Sequence, residues 1–236
     1  MLEVLQDKRQ IALAREQIVQ KNVSLIDSKF RSLLKRVGLD RSVAMGDFVK
    51  SWDVLRTLEF IETHVDKSAP VADIGCYASE VLVALCKLGY SELTGIDLNP
   101  RLSEMPFQDR IRYEISDFKR TRFEPGSFQA ITSISVIEHG FEAEPLLKEM
   151  SRLLRPGGYF LASFDYWPQK IDTASTKFFG MDWLIFSKED VDCLLATAAA
   201  HGLHPVGSMN YAGKDKPIHC AGKDYTFGLL VLQKSS

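Results

Sequence analysis

The chain has 236 residues and a formal net charge of −2, from 29 basic and 31 acidic side chains. This length suits an α/β domain with a sizeable core, and the balanced charge argues against a nucleic-acid binder held mainly by phosphate contacts. The four cysteines follow neither a metal-ligand nor a disulfide spacing, and no apolar run reaches the length of a signal peptide core or a membrane span. We therefore expect a cytoplasmic protein without a membrane span, a bound nucleic acid or a structural metal.

Residues 1–66 differ in pattern from the rest and predict an N-terminal helical extension, or cap, on a main domain of residues 67–236. Apolar side chains recur at helical spacing from Leu2 to Ile18 and from Leu25 to Val37, and Gly38 is a plausible stop. A further helix is predicted over residues 48–65. These helices are expected to cover a pocket, to join two copies in a homodimer, or to do both.

From Pro70 onward, apolar runs of strand length alternate with helical segments. Strands are predicted at residues 71–74, 93–97, 111–115, 130–135, 159–164, 204–209 and 226–233, and helices at 79–89, 143–154 and 187–201. Such alternation predicts an α/β fold, a seven-stranded, mostly parallel sheet with helices on both faces. No helix separates the last two strands, so the last strand should run antiparallel. The long segments 165–186 and 210–225 are predicted substrate walls, because both follow strands that end at the ligand edge.

The first β-turn-α-β unit carries the most specific signal. A buried strand ends at Asp73 and Gly75, and the next strand ends in a carboxylate at Asp97. Such a unit brings a helix N-terminus and an acidic side chain to one sheet edge, where the carboxylate can accept both hydroxyls of a ribose. The turn has one glycine and a bulky Tyr77, unlike a pyrophosphate-binding turn, and Asp73 favours a cofactor with a cationic end.

Five short motifs follow one another in a characteristic order. They are Asp73-Ile74-Gly75, Gly95-Ile96-Asp97, Ser116-Asp117-Phe118, Phe128-Gln129-Ala130-Ile131 with Glu138-His139, and Leu154-Arg155-Pro156-Gly157-Gly158. Together, over residues 68–234, they resemble the motif series of class I S-adenosylmethionine (SAM)-dependent methyltransferases, whose fold is Rossmann-like. The departure lies after Asp73, where that family usually has Gly-x-Gly-x-Gly and this chain keeps only Gly75.

The resemblance implies SAM as the cofactor and assigns its contacts. Asp73 and Gly75 would shape the pocket at the amino-acid end of SAM, Asp97 would take the ribose hydroxyls, and Asp117 would accept the adenine amine beside Phe118. The predicted cofactor-binding residues are Asp73, Gly75, Tyr77, Ser79, Asp97, Asp117, Phe118 and Ser135. Turn or core roles are the alternatives for Asp97, Asp117 and Phe118.

His139 is the predicted catalytic base, because an imidazole with an ordinary pKa of about 6.5 can accept a proton at neutral pH. Asp165, after the fifth strand, would orient this imidazole. Several sugar O-methyltransferases of this superfamily resemble this arrangement. The alternatives are a structural role for His139 beside the cofactor, and a loop-capping or metal-binding role for Asp165.

The sequence therefore predicts a SAM-dependent methyltransferase that acts on a small molecule, on a hydroxyl of a sugar, glycoconjugate or natural product. Trp52, Tyr166, Trp167 and His219 are the predicted substrate contacts. Two other interpretations remain open: a binding module that keeps the fold without catalysis, and a nucleic-acid or protein methyltransferase. The residues from Ser135 to Glu138 lack the Asn/Asp-Pro-Pro-aromatic pattern of base N-methylating enzymes, which disfavours that class.

Overall fold

The computed structural model describes residues 1–26 and 42–236. Its main sheet has nine strands, with the path β1-β11-β6-β5-β2-β3-β4 and with β9 and β10 also paired to β11. The strands are β1 (Leu2–Val4), β2 (Val71–Ile74), β3 (Leu93–Asp97), β4 (Ile111–Ile115), β5 (Phe128–Ile134), β6 (Leu154–Tyr166), β9 (Leu203–Pro205), β10 (Ile218–Cys220) and β11 (Lys223–Lys234). A separate hairpin pairs β7 (Lys177–Phe178) with β8 (Met181–Asp182).

The helices pack around this sheet and match the predicted ones closely. They are α1 (Lys8–Gln20), α2 (Ser51–His64), α3 (Val81–Lys87), α4 (Ala143–Leu153) and α5 (Lys188–Ala200), with 3-10 turns at Phe48–Lys50 and Pro100–Glu104. Side chains fix several starts: the Asp7 carboxylate accepts hydrogen bonds from two amides of α1, and Ser187 and Asp190 form a reciprocal capping box on α5.

The predicted fold class is confirmed: β2, β3, β4, β5 and β6 run parallel, and β11 runs antiparallel to β6 and β9. The central strand β2 lies between β3 and β5, and all four of its residues are buried. A strand covered on both faces must be apolar throughout, which explains the run Val71-Ala72-x-Ile74. Asp73 is the exception, and its position in this buried strand marks the site.

Two strands of the main sheet, and both strands of the β7–β8 hairpin, were not predicted. The pattern that begins at Leu2 predicted a helix, but Leu2–Val4 pair antiparallel with β11, in the register Leu2 opposite Leu230. Leu2 and Val4 are buried while Glu3 is not, so these three residues follow the period of two of a strand, and the helix begins only at Lys8. β10 is likewise additional. The described sheet thus has nine strands where seven were predicted. The predicted helix through Phe30, Leu33 and Leu34 lies outside the described residues.

A buried ion pair joins the N-terminal extension to the main domain. Arg15 on α1 is 8% exposed and Glu80, directly before α3, is 1% exposed. Two Arg15 nitrogens contact the two Glu80 oxygens, at 2.5 and 3.2 Å. The Arg15 Nε atom also donates to the Ser51 hydroxyl at 2.9 Å, at the start of α2. One guanidinium therefore connects α1, α2 and α3.

Arg15→Met should lower the free energy of unfolding by about 3–5 kcal/mol, because it leaves the buried Glu80 carboxylate without its partner. Lys21→Met, which removes an exposed ion pair with Glu62, is the matched control and should cost no more than about 1 kcal/mol. Urea unfolding of both variants measures the difference. Equal stability of the two variants would contradict the role of Arg15.

Candidate functional site

The carboxyl ends of neighbouring parallel strands gather the predicted site residues at one edge of the sheet. Asp73 lies in β2, Asp97 ends β3, and His139 follows β5, the other neighbour of β2. The chain turns at Gly75 with φ of +68°, and a Cβ atom there would lie 2.3 Å from the Val136 side chain. Glycine is therefore required at this position both by its backbone conformation and by the close approach of β5.

Asp73 is a buried carboxyl group with one oxygen unsatisfied. Its Oδ1 accepts a hydrogen bond from the Thr132 hydroxyl at 2.7 Å, whereas no described residue binds Oδ2. Burial raises the pKa of Asp73 to about 7 and the charge of Asp97 raises it further, while the hydrogen bond from Thr132 and the nearby Ser79 hydroxyl oppose the shift. A buried, unsatisfied acceptor at the glycine turn suits a cationic or hydrogen-bonding ligand group.

Asp97 is held by backbone amides on both sides. Its Oδ2 accepts from the amide of Tyr77 at 2.9 Å, and its Oδ1 accepts from the amide of Asn99 at 2.8 Å. The capping role considered for Asp97 is therefore real, but each carboxylate oxygen still has a lone pair for a ligand hydroxyl. The Tyr77 ring is half-buried and lies 5.9 Å from the guanidinium of Arg101.

The other predicted cofactor residues have mixed environments. Ser79, a predicted cofactor-binding residue, accepts a hydrogen bond from the amide of Val81, the first residue of α3, at 3.3 Å. Asp117 is exposed and binds the amide of Lys119, so it closes a turn in this structure, and Phe118 packs partly against the core.

His139 lies half-buried between aromatic rings. The ring centroids of Phe178 and Phe179 are 5.7 and 5.6 Å away, and its Nδ1 is buried without a hydrogen-bond partner among the described residues. Burial, assisted by the positive charge of Lys50, lowers the pKa of His139 to about 4. The imidazole is therefore neutral at physiological pH, with a ring nitrogen left to bind a ligand.

The predicted contact between Asp165 and His139 is absent from the described structure. Asp165 Oδ2 accepts a hydrogen bond from the indole Nε1 of Trp183 at 2.7 Å, and its Oδ1 has no described partner. The segment after β6 carries Trp183 back against the strand end, and this indole takes the place that was predicted for the imidazole. Asp165 is 4% exposed, and burial raises its pKa.

Three further charged residues meet Asp165 at this edge and were not predicted. Lys50 donates a hydrogen bond to the Ser135 hydroxyl at 2.5 Å, and its charge interacts with the buried acids Asp53, Glu138 and Asp165. Both oxygens of Asp53, and Oε2 of Glu138, lack a hydrogen-bond partner among the described residues. The sequence did contain one signal for this cluster. Asp53 is a carboxylate in the first turn of a helix, and its two neighbours, Trp52 and Val54, are apolar.

The acids of this cluster are shifted toward their neutral forms. Burial raises the pKa of Asp53 to about 7, with a further contribution from Asp165, and Lys50 opposes the shift. Burial and Asp165 also raise the pKa of Glu138 well above its usual value. Uncompensated buried carboxyls are costly and often mark functional sites.

The predicted substrate residues do not gather at one place. Trp52 is 6% exposed and Tyr166 is fully buried, so both belong to the hydrophobic core, and the Tyr166 hydroxyl donates to the Tyr211 carbonyl. Trp167 is half-buried, and the ammonium group of Lys216 lies over its ring. His219, on β10, is exposed and forms a hydrogen bond with Asp224 on β11. In residues 1–26 and 42–236, no cluster of His, Cys, Asp and Glu is placed to hold a metal, and no helix is long and apolar enough to span a membrane.

Comparison with known proteins agrees with this geometry. Residues 72–162, from β2 into β6, match the family described as the methyltransferase domain. They carry the sequence pattern of a methyltransferase domain. The predicted resemblance is thereby confirmed for the part of the chain that carries Asp73, Asp97 and His139, which is less than half of its length.

Individual relatives match less than half of the chain at low identity. A ubiquinone biosynthesis O-methyltransferase of Xanthomonas euvesicatoria pv. vesicatoria (strain 85-10) is 28% identical over 120 residues, which are 47% of this chain and 50% of that protein. One of Xanthomonas campestris pv. campestris (strain B100) is 31% identical over 108 residues, 42% of this chain and 45% of that protein. The chain thus spans about half the length of these relatives.

Solved structures share the fold over most of the chain. The [4+2]-cyclase SpnF has a TM-score of 0.59 at 13% identity and covers 99% of this chain and 98% of its own. At this identity the likeness shows the fold alone. Because the name of this neighbour states a cyclase, the fold by itself does not establish methyl transfer.

The residues at the sheet edge fit SAM. The Gly75 turn permits close approach of a ligand to the backbone, and the unsatisfied Asp73 Oδ2 suits the cationic end of the cofactor. Asp97, fixed by two amides, suits a ribose. Five carboxyl groups, those of Asp53, Asp73, Asp97, Glu138 and Asp165, surround the region, so it favours a positively charged ligand over a phosphate.

Asp97→Ala should weaken SAM binding at least tenfold, because hydrogen bonds from two ribose hydroxyls to a charged acceptor, each worth about 1.5–3 kcal/mol, are lost. Calorimetry with SAM measures the affinity. Asp109→Ala, an exposed acid between β3 and β4, serves as the control and should bind as the parent does. Unchanged affinity of Asp97→Ala would show that this carboxylate does not hold the ribose.

Asp53→Asn should change how stability depends on pH. Because folding raises the pKa of Asp53 to about 7, the folded state holds a proton that the unfolded state releases from about pH 4 upward, so the parent loses stability between pH 4 and 7. The variant avoids this loss and should gain on the order of 2–4 kcal/mol relative to the parent between pH 4 and 8. Urea unfolding across this range tests it, with the exposed Asp66→Asn as control. Parallel curves for Asp53→Asn and the parent would contradict a protonated Asp53.

Proposed function

We propose that this chain transfers the methyl group of SAM to a hydroxyl group of a small molecule, with His139 as the base. The observation that carries the proposal is the neutral imidazole of His139, which has an unpartnered, buried Nδ1 at the sheet edge that holds Asp73 and Asp97. A hydroxyl acceptor must lose a proton, and a neutral imidazole can take it. The two O-methyltransferase relatives support a hydroxyl acceptor.

Bound SAM supplies an electrophilic methyl group, so the protein has to align the acceptor and remove its proton. Alignment alone can lower a barrier by about 7–11 kcal/mol, and a general base adds about 10²–10⁴-fold. Phe178 and Phe179 flank His139 and offer aromatic surface on which a ring-shaped acceptor can pack. A sugar, a glycoconjugate and a cyclic natural product all fit this requirement.

A screen with labelled SAM tests the activity. Nucleotide sugars, glycans and phenolic natural products, with nucleic acid and protein in parallel, are incubated with the full chain. Label in a hydroxyl of a sugar, glycan or natural product supports the proposal. Label only in nucleic acid or protein would favour a nucleic-acid or protein methyltransferase instead. The net charge of −2 disfavours a nucleic-acid acceptor.

A non-catalytic binding module is the alternative from a different functional class. The single glycine of the turn, where the resembled family usually has three, favours it. Calorimetry separates the two possibilities, because a methyltransferase must bind SAM. If no binding is detected at millimolar SAM, the methyltransferase proposal is contradicted and the non-catalytic binding module remains.

His139→Ala should lower turnover by about 10²–10⁴-fold while SAM affinity stays close to that of the parent, because the imidazole acts on the acceptor proton. Turnover and calorimetry on the same preparation separate these effects. His204→Ala, at an exposed position on β9, is the control and should keep full turnover. Parent-level turnover in His139→Ala would show that the imidazole is not the base. Weakened SAM binding in the same variant would indicate that His139 has a structural role beside the cofactor.

A further inference from the structure

Lys50 is the unassigned residue that the geometry places most directly at the reaction site. It ends the 3-10 turn before α2, and its side chain reaches Ser135, directly after β5, where its ammonium group donates to the hydroxyl at 2.5 Å. The same nitrogen lies 3.9 Å from the ring centroid of Phe227 on β11. Lys50 therefore crosses from the N-terminal extension to the carboxyl edge of the sheet.

Three buried carboxyl groups surround this ammonium group. Asp53, Glu138 and Asp165 are 0%, 1% and 4% exposed, and Lys50 interacts electrostatically with each of them. Their unpartnered oxygens come from α2, from the segment after β5 and from the end of β6. Groups on three different elements thus face one positive charge, while its visible hydrogen bond goes to a neutral hydroxyl.

The ammonium group has donors left for a ligand. It carries three N–H bonds, and in the described part of the chain only the Ser135 hydroxyl accepts one of them. Ser135 itself has a positive φ of 51°, and its amide is fixed by the backbone and side chain of Ser163. The Ser135 hydroxyl therefore marks a position at which Lys50 already binds a hydroxyl oxygen.

His139 lies within the field of the same charge, since the positive charge of Lys50 contributes to lowering its pKa. A base whose conjugate acid has a pKa of about 4 is weak. A tyrosine-like phenol has a pKa of about 10, which leaves a gap of about six units. The gap is far wider for an aliphatic alcohol, so the site needs a second group that stabilises the anion of the acceptor.

Resting on the proposed function, we propose that Lys50 binds the acceptor oxygen as its anion, and that the protein therefore selects acidic hydroxyls, such as those of phenols and enols, over sugar alcohols. The O–H bond of the acceptor breaks, its proton passes to the imidazole of His139, and its electron pair stays on the oxygen facing Lys50. The rings of Phe178 and Phe179 lie beside His139 and suit a flat acceptor.

A coloured phenol tests the anion site without turnover. 4-Nitrophenol absorbs visible light in its ionised form, so its absorbance with the full chain and S-adenosylhomocysteine reports how much of the bound probe is ionised at each pH. In the parent, the midpoint should lie at least about one pH unit below that of the free probe, a tenfold effect, as expected for a hydrogen bond to a charged group.

Variants assign the effect to Lys50. Lys50→Met should abolish the shift, and Lys50→Arg should keep most of it. Lys21→Met, which removes an exposed lysine directly after α1, should leave it unchanged. A parent that does not bind the probe, a parent that shows no shift, or a Lys50→Met variant with the parent's shift would each overturn the proposal. If Lys50→Met does not fold, as judged by circular dichroism, the parent and Lys50→Arg titrations decide alone.

The screen with labelled SAM keeps this inference separate from the proposed function. Methyl transfer that continues at the parent rate in Lys50→Met overturns the role of Lys50 and leaves the activity standing. If the ionisation midpoint of the probe shifts in a way that depends on Lys50, but no hydroxyl is methylated, the anion site is supported and the proposed methyltransferase activity is contradicted. Preferential labelling of sugar alcohols over phenols overturns the predicted selectivity.

Discussion

The arrangement of the candidate site depends on the contacts of Arg15. Its guanidinium contacts Glu80 beside the glycine turn, the Ser51 hydroxyl and the carbonyl of Asp47, so it holds both segments that flank Lys50 against the cofactor side of the sheet. A planar group with five donors can hold several elements at fixed angles, which a lysine cannot do. Residues that precede the matched methyltransferase domain, which begins only at residue 72, thereby contact the candidate site.

The carboxyl edge concentrates acidic side chains in a poorly solvated place. Asp53, Asp73, Glu138 and Asp165 are each at most 4% exposed, and each has at least one oxygen without a described partner. Such groups lower the stability of the fold when they ionise, because water no longer solvates them. A cationic cofactor would stabilise the ionised carboxylates by its charge. The loss of folding stability on ionisation is therefore expected mainly in the protein without cofactor.

Much of the fold followed from the sequence, because buried parallel strands and amphipathic helices have distinct periods. The same logic placed Asp73, Asp97 and His139 at one edge. It failed at Leu2–Val4, where three residues are too few for a period to be recognised, and at Asp165, whose partner Trp183 is 18 residues away in an irregular segment. Lys50 and Asp53 were missed because their roles arise from contacts with strands far along the chain, which no local pattern reveals.

The β7–β8 hairpin has a consequence for how selectivity can change. Phe179, at its tip, is 86% exposed, yet its ring lies 5.6 Å from that of His139. Substitutions at exposed turn positions usually alter stability little, whereas those in the core are costly. New acceptors can therefore be explored at this tip through single mutations that leave folding intact, both in natural divergence and in laboratory selection.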